Sequence, residues 1–318
     1  MSKAINMRKI AIIGTGMVGS TSAYTIMEQG LFSEIVLVNA HRERAEGEAM
    51  DINHAMTFLS PMNIYAGGYD DIMDAAIIVI TAGASQKVGE TRLDLVKKNA
   101  AILGTIVPEI AKRDYQGILL IVSNPVDILT HVALKLSGFP RNRVFGSGTV
   151  LDTARLKYLI GEHLNVDYRG VQSYIIGEHG DSEIPVWSSA YVSGIPLNTF
   201  CEIRGFHEHQ ASMHRLAQSV KDSAYEIIKR KKATYYGIAM AVRYICSAIV
   251  RNERSVLPVS CYLEGEYGLN DVTLSVPAII GQTGIQKILP FSLNEEESAA
   301  LHESARILKE TADSLDLK

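Results

Sequence analysis

Apolar residues in the first half of the chain fall in short, continuous, β-branched runs: Ile10 to Ile13, Ile35 to Val38, Ile77 to Ile80, Ile118 to Val122 and Val144 to Phe145. A strand that is apolar on both faces must be covered on both. Runs of this kind divided by helical stretches therefore predict an α/β fold with a doubly wound parallel sheet. Ligands of such sheets lie beyond the carboxyl ends of the strands, so the segments that follow these runs are where chemistry is sought. After about residue 147 the rhythm changes. Strand-like Val171 to Ile176, a long helical stretch near His207 to Arg230, and strands around Val256 to Leu263 and Val272 to Val276 predict a second, α+β domain that carries the substrate. The expected division is 1–147 and 148–318. Ser292 with Glu295 is expected to cap a terminal helix that turns Leu301, Ile307 and Leu308 inward.

The turn after the first run reads Gly14-Thr15-Gly16-Met17-Val18-Gly19, with a helix following and a second strand beyond. In that setting the three glycines have separate uses. Gly14 takes backbone angles that a side chain forbids, Gly16 lets the main chain approach a pyrophosphate, and Gly19 lets helix and strands lie close. The free amides of the helix start, among them those of Met17 and Val18, then face the phosphates. The pattern predicts a dinucleotide site with NAD as cofactor. The second strand would ordinarily end in an Asp or Glu on the adenosine ribose, and here it ends in Asn39. Asn bonds a hydroxyl but does not repel a 2′-phosphate, and His41, Arg42 and Arg44 follow closely, so relaxed acceptance of NADP is expected.

Composition narrows the picture by exclusion. The net charge of −4, with cations scattered, leaves no footprint for nucleic acid or an anionic membrane. The longest apolar runs are strand-sized, and no signal-like segment precedes the glycine turn. Cys201, Cys246 and Cys261 form no C-x-x-C pair, which reads as reduced thiols in the cytoplasm.

Two constellations offer chemistry. His179 stands between glycines in Ile176-Gly177-Glu178-His179-Gly180-Asp181, directly after a strand, and taken alone is a turn or packing residue. Asp152 and Arg155 lie three apart on one helix, where an ordinary solvated ion pair is the plain alternative to a shared cleft. His207-Glu208-His209 with His214 invites a metal, but on a helix His207 and His209 point apart, so a solvated face is expected and no metal.

Taken together, G-T-G-M-V-G, T-A-G-A-S-Q-K-V-G-E-T-R, S-N-P-V-D, G-S-G-T-V-L-D-T-A-R, I-I-G-E-H-G-D-S and A-T-Y-Y-G-I-A closely resemble the bacterial L-lactate dehydrogenases of the lactate and malate dehydrogenase family, from about Lys9 to the terminal helix. The resemblance implies a Rossmann domain, a reversible hydride transfer between NADH and pyruvate in fermentative glycolysis, and a homotetramer. It makes His179 the acid/base, Asp152 its orienting carboxylate, and Arg155 the two-pronged grip on the substrate carboxylate. It places Asn124, before a cis Pro125, and Thr234 beside the substrate, and Thr81, Ala82, Gly83, Asn99, Val122 and Asn124 beside the cofactor. Gly83 to Arg92 becomes a closing lid that brings Arg92 onto the carbonyl oxygen, with Val88 where the family often has proline. Gln86 stands where malate dehydrogenases carry arginine, so oxaloacetate's second carboxylate would be stranded and pyruvate preferred. Lys157 and Gln172 replace the arginine and histidine that bind fructose 1,6-bisphosphate, implying weak or absent activation. The alternatives are a dehydrogenase for malate or a bulkier 2-hydroxy acid, and a nucleotide-bound sensor that keeps the fold without the reaction.

Overall fold

The computed structural model describes residues 3–84, 91–206 and 209–315. In chain order the first half forms β1 (Asn6–Ile13), α1 (Met17–Gln29), β2 (Glu34–Val38), α2 (Arg42–His54), β3 (Asn63–Ala66), β4 (Ala75–Ile80), α3 (Arg92–Ala111), β5 (Ile118–Ile121), α4 (Val126–Ser137) and β6 (Val144–Gly146). The strands lie parallel in the order β3-β2-β1-β4-β5-β6. This is the doubly wound arrangement, whose direction of winding reverses between β1 and β4. Ile10 sits in register with Ile35 on one side and Ile77 on the other, and all three are fully buried. Continuous apolar strands are stable here because helices cover both faces. β3 has no counterpart among the expected strands: it is only four residues long, one of them fully buried, and it takes its place by pairing with the edge of β2.

The second half runs α5 (Val150–Leu164), β7 (Val171–Gln172), β8 (Ile175–Gly177), β9 (Glu183–Pro185), β10 (Tyr191–Val192), β11 (Ile195–Pro196), α6 (Leu197–Ile203), α7 (His209–Lys231), α8 (Tyr236–Val250), β12 (Ser255–Glu264), β13 (Asn270–Gly281), β14 (Gly284–Ile288) and α9 (Glu295–Asp313). β12 and β13 pair along ten residues, and Ser260 of β12 bridges to Gly146 of β6. The sheet thus continues antiparallel into the second half through β13, β8 and β9. The expected strand Val171 to Ile176 is two strands: β7 joins a small sheet with β10 and β11, whereas β8 joins the large one. That break delivers the following turn, with His179, to the seam between the halves.

The terminal helix starts two residues later than the sequence pattern suggests. Asn294, not Ser292, accepts from the Glu297 amide (2.8 Å), and Glu297 returns a carboxylate oxygen to the Asn294 amide (3.1 Å). Glu297 is also held by the Ser188 amide and hydroxyl, so a tertiary contact selects between two plausible caps. Leu301 and Leu308 are buried as expected.

Candidate active site

The nucleotide cradle is built mainly from main chain. Gly14 lies at φ 102°, and a Cβ there would stand 2.6 Å from the Ala82 amide nitrogen; at Gly19 it would stand 1.9 Å from the Gly14 carbonyl oxygen. Both positions are thereby closed to any side chain. Gly16 differs. A Cβ there meets no protein atom within 4 Å, so protein packing alone gives no reason for glycine. Gly16 caps α1 without a side-chain bond, so the first amides of that helix receive no acceptor from their cap, and Met17 is exposed. An unobstructed main chain in front of uncapped amides fits a pyrophosphate.

The neighbouring loops brace this cradle. Thr81 donates its hydroxyl to the Gly14 carbonyl (2.6 Å), and Ser123 donates to the Ala82 carbonyl (2.6 Å). Buried Asn99 accepts from the Ala84 amide (2.8 Å) and donates to the Asn124 carbonyl (2.7 Å), tying the chain beyond Gly83 to the end of β5 beyond Val122. At the end of β2, Asn39 donates to Thr15 (2.8 Å) and accepts from the His41 amide (2.9 Å). Arg42 is paired with Glu46 at the surface.

The charged part of the site gathers from three elements. Asp152, in the first turn of α5 and 2 % exposed, accepts from Arg155 Nη1 at 2.8 Å through one oxygen and from His179 Nδ1 at 2.5 Å through the other. Because a carboxylate only accepts, Nδ1 carries the proton of this bond, and Nε2 is the nitrogen left for a ligand. Burial works against charge on His179, but the Asp152 carboxylate and its hydrogen bond outweigh it and raise the ring to about 9. Burial likewise opposes charge on Asp152, which His179 and Arg155 nevertheless hold below its ordinary value. At neutral pH the pair is an imidazolium and a carboxylate.

These residues face a cleft of about 440 Å³ lined also by Asn124, Pro125, Glu183, Lys221 and Tyr225. The peptide bond between Asn124 and Pro125 is cis, as the resemblance implies. Thr234 lies between α7 and α8, partly buried, and is not part of that lining. Gln86 and Val88 lie outside the described residues, as do His207 and Glu208; Arg92 opens α3, and its side chain is likewise outside them. His214 is exposed on α7. Lys157 is half-buried on α5, where burial lowers its ammonium, and Gln172 is exposed on β7.

Two acids escaped the sequence reading. Asp127, in the first turn of α4, accepts from the His179 amide (2.7 Å), from Ser260 Oγ (2.6 Å) and from Ser275 Oγ (3.3 Å). It thereby ties the turn that carries His179 to α4, β12 and β13. Burial pushes its carboxyl up to about 6 in spite of these bonds. Its place at the end of S-N-P-V-D and as a lone acid within Val126-Asp127-Ile128-Leu129 was the available signal, since a buried charge needs built partners. The other is Glu183 at the start of β9, buried beside His179 and Asp152.

Known proteins match almost the whole chain. Residues 8–146 match the lactate/malate dehydrogenase NAD binding domain, and residues 149–316 match the alpha/beta C-terminal domain of the same family. The chain is 54% identical over 311 residues to an L-lactate dehydrogenase of Acetivibrio thermocellus, covering 98% of each, and 51% identical over 306 residues to one of Priestia megaterium, covering 96% of each. Among solved structures, the minor L-lactate dehydrogenase of Enterococcus mundtii in its ligands-bound form superposes with a TM-score of 0.94 at 44% identity, over 98% of this chain and 99% of that one.

Proposed function

The chain belongs to the lactate/malate dehydrogenase family, and we propose on that footing how its own residues carry the reaction of an NAD-dependent L-lactate dehydrogenase. The observation that carries the reading is the single carboxylate of Asp152, which holds His179 by one oxygen and Arg155 by the other at the wall of one cleft. NADH, when bound along the glycine cradle, supplies the hydride to the substrate's keto carbon. Arg155 spends one N–H on Asp152 and keeps the rest of its fork for the substrate carboxylate. His179, charged at neutral pH, gives its Nε2 proton to the keto oxygen as negative charge develops there. Asp152 stays ionised throughout and holds the ring in the tautomer this requires. In the reverse direction neutral His179 takes the alcohol proton.

The finer assignments rest on the family resemblance. Asn124 bonds the reacting oxygen or the cofactor side, Thr234 borders the pocket, and Arg92 polarises the carbonyl when the segment before α3 closes. Gly14, Gly16, Met17, Val18, Gly19, Asn39, Thr81, Ala82, Gly83, Asn99, Val122 and Asn124 hold NAD, with relaxed acceptance of NADP through Asn39. Gln86 selects pyruvate over oxaloacetate, and Lys157 with Gln172 leaves fructose 1,6-bisphosphate a weak activator or none. A homotetramer accords with the exposed stripe Tyr236, Met240 and Tyr244 on α8.

The test is an NADH-oxidation assay with pyruvate and with oxaloacetate, each with and without fructose 1,6-bisphosphate. Pyruvate is expected to win by orders of magnitude, and Gln86→Arg to invert the preference. Equal turnover of both acids by the wild type would defeat the specificity assignment, and a large fall in KM for pyruvate on adding the bisphosphate would defeat the regulatory one.

A further inference from the structure

Glu183 is 6 % exposed, and its Oε1 has no hydrogen-bond partner. Ligand atoms of Glu183, His179 and Asp152 lie within 4.8 Å of one another, and Glu183 also lines the cleft. No ion pair engages it among the described residues. An ionised carboxylate in this position would have one buried oxygen unsatisfied and the Asp152 carboxylate as a near neighbour, and both features favour the uncharged acid.

The charged groups around it do not reverse this. Arg155, from α5, spends one N–H on Asp152 and none on Glu183, and His179 donates to the same Asp152 carboxylate. Lys221, from α7, donates its ammonium to the Asp181 carbonyl (2.9 Å). Glu178 is bonded by Ser182 (2.6 Å), and Glu297, from α9, is held by Ser188. Asp127 is held by Ser260 and the His179 amide. Burial, then the charge of Asp152, push the Glu183 carboxyl up to about 8, against the opposing pull of His179, Lys221 and Arg155.

The charge of the cleft follows. Among the described side chains, Asp152, Arg155 and protonated His179 leave one net positive charge, with Lys221 and Asp181 offsetting each other, which suits the single carboxylate of a 2-keto monoacid. Resting on the reaction assigned above, we propose that Glu183 is a specificity-determining residue that stands in the cleft as a neutral acid, so that the site keeps its charge for a mono-anionic substrate and loses affinity for it when Glu183 ionises. Two protons must then be in place for the keto acid to bind, one on His179 and one on Glu183. The two groups sense each other, so the proton losses belong to the pair rather than to either residue.

The experiment is the pH dependence, from about pH 7 to about pH 10, of kcat/KM for pyruvate at saturating NADH, beside the affinity of the NADH-bound enzyme for oxamate, the amide isostere of pyruvate. Wild type, Glu183→Gln and Glu183→Met are compared; the second variant is also uncharged and of similar volume. For the wild type both quantities are expected to fall toward a limit of about a hundredfold per pH unit, and for either variant toward about tenfold per unit. Limbs of equal steepness in wild type and variants would overturn the role of Glu183. A wild type that turns over no pyruvate at any pH would instead overturn the reaction on which the role rests.

Discussion

The two ends of the site are made of different material. At the glycine turn the contacts are neutral and made by main chain and uncharged side chains: Gly14, Gly19, Thr81 and Ala82 shape a surface at the start of α1. At the other end, charged side chains from α4, α5 and the turn after β8 converge, and Asp127 and His179 are defined by partners far away in sequence. The cradle therefore tolerates changes of charge and fails on added atoms. The cluster keeps its shape under isosteric change and fails on lost charge.

The largest separation of the two is expected from His179→Gln. Turnover should drop by about 10²–10⁴-fold while NADH affinity, measured by fluorescence titration, moves far less. A comparable loss of NADH affinity would merge the two ends into one unit. Gly19→Ala should give the opposite pattern, because its new Cβ would meet the Gly14 carbonyl oxygen and Thr81 Oγ1. The dissociation constant for NADH should rise at least about tenfold, at a cost of a few kcal/mol in unfolding free energy.

Asp127 sharpens the comparison, because it belongs to the cluster yet is pushed toward neutrality. Its carboxyl moves from 3.8 up to about 6 on folding, so the unfolded chain gives up this proton first and ionisation in the folded state is penalised. The penalty is absent below about pH 4, grows through about pH 6 and is constant above, reaching at most about 3 kcal/mol. Asp127→Asn escapes it and should gain on the wild type in thermal unfolding as pH rises across that window. A variant that instead loses ground would show that the Asp127 charge is needed to hold the His179 amide. The smallest effect is expected at Asn39→Asp. A new carboxylate beside the ribose should shift the ratio of kcat/KM for NADH over NADPH toward NADH by about tenfold. A strong NADH preference that the substitution leaves in place would remove Asn39 from cofactor discrimination.

This contrast also explains what could be read in the chain itself. The strands β1, β2, β4 and β5 and the cradle are visible because their causes are local: an unbroken apolar run and a glycine where only glycine fits. β3 was invisible because pairing with β2, rather than its own residues, makes it a strand. The break between β7 and β8 was missed for a like reason, since each half is claimed by a different sheet. Asp152 and Arg155 were legible as a helical pair but equally as a surface one, and only burial separates those readings. His179 gained a meaning through its family motif. Asp127, although it ends the S-N-P-V-D motif, and Glu183 were given no role, because an acid is recognised as buried only when the elements that bury it are assembled.

The central claim is that Asp152 keeps His179 protonated so that it can deliver a proton to the keto oxygen. It is tested most directly by the alkaline limb of kcat/KM for pyruvate in Glu183→Gln, where Glu183 no longer contributes to that limb, with and without Asp152→Asn. With Asp152 present the ring stays charged up to about 9. Without that carboxylate, burial lowers the ring and only the weaker pull of Asp127 still raises it, so the limb should move down by about two pH units. An added Asp152→Asn that leaves the alkaline limb of Glu183→Gln where it was would contradict the account.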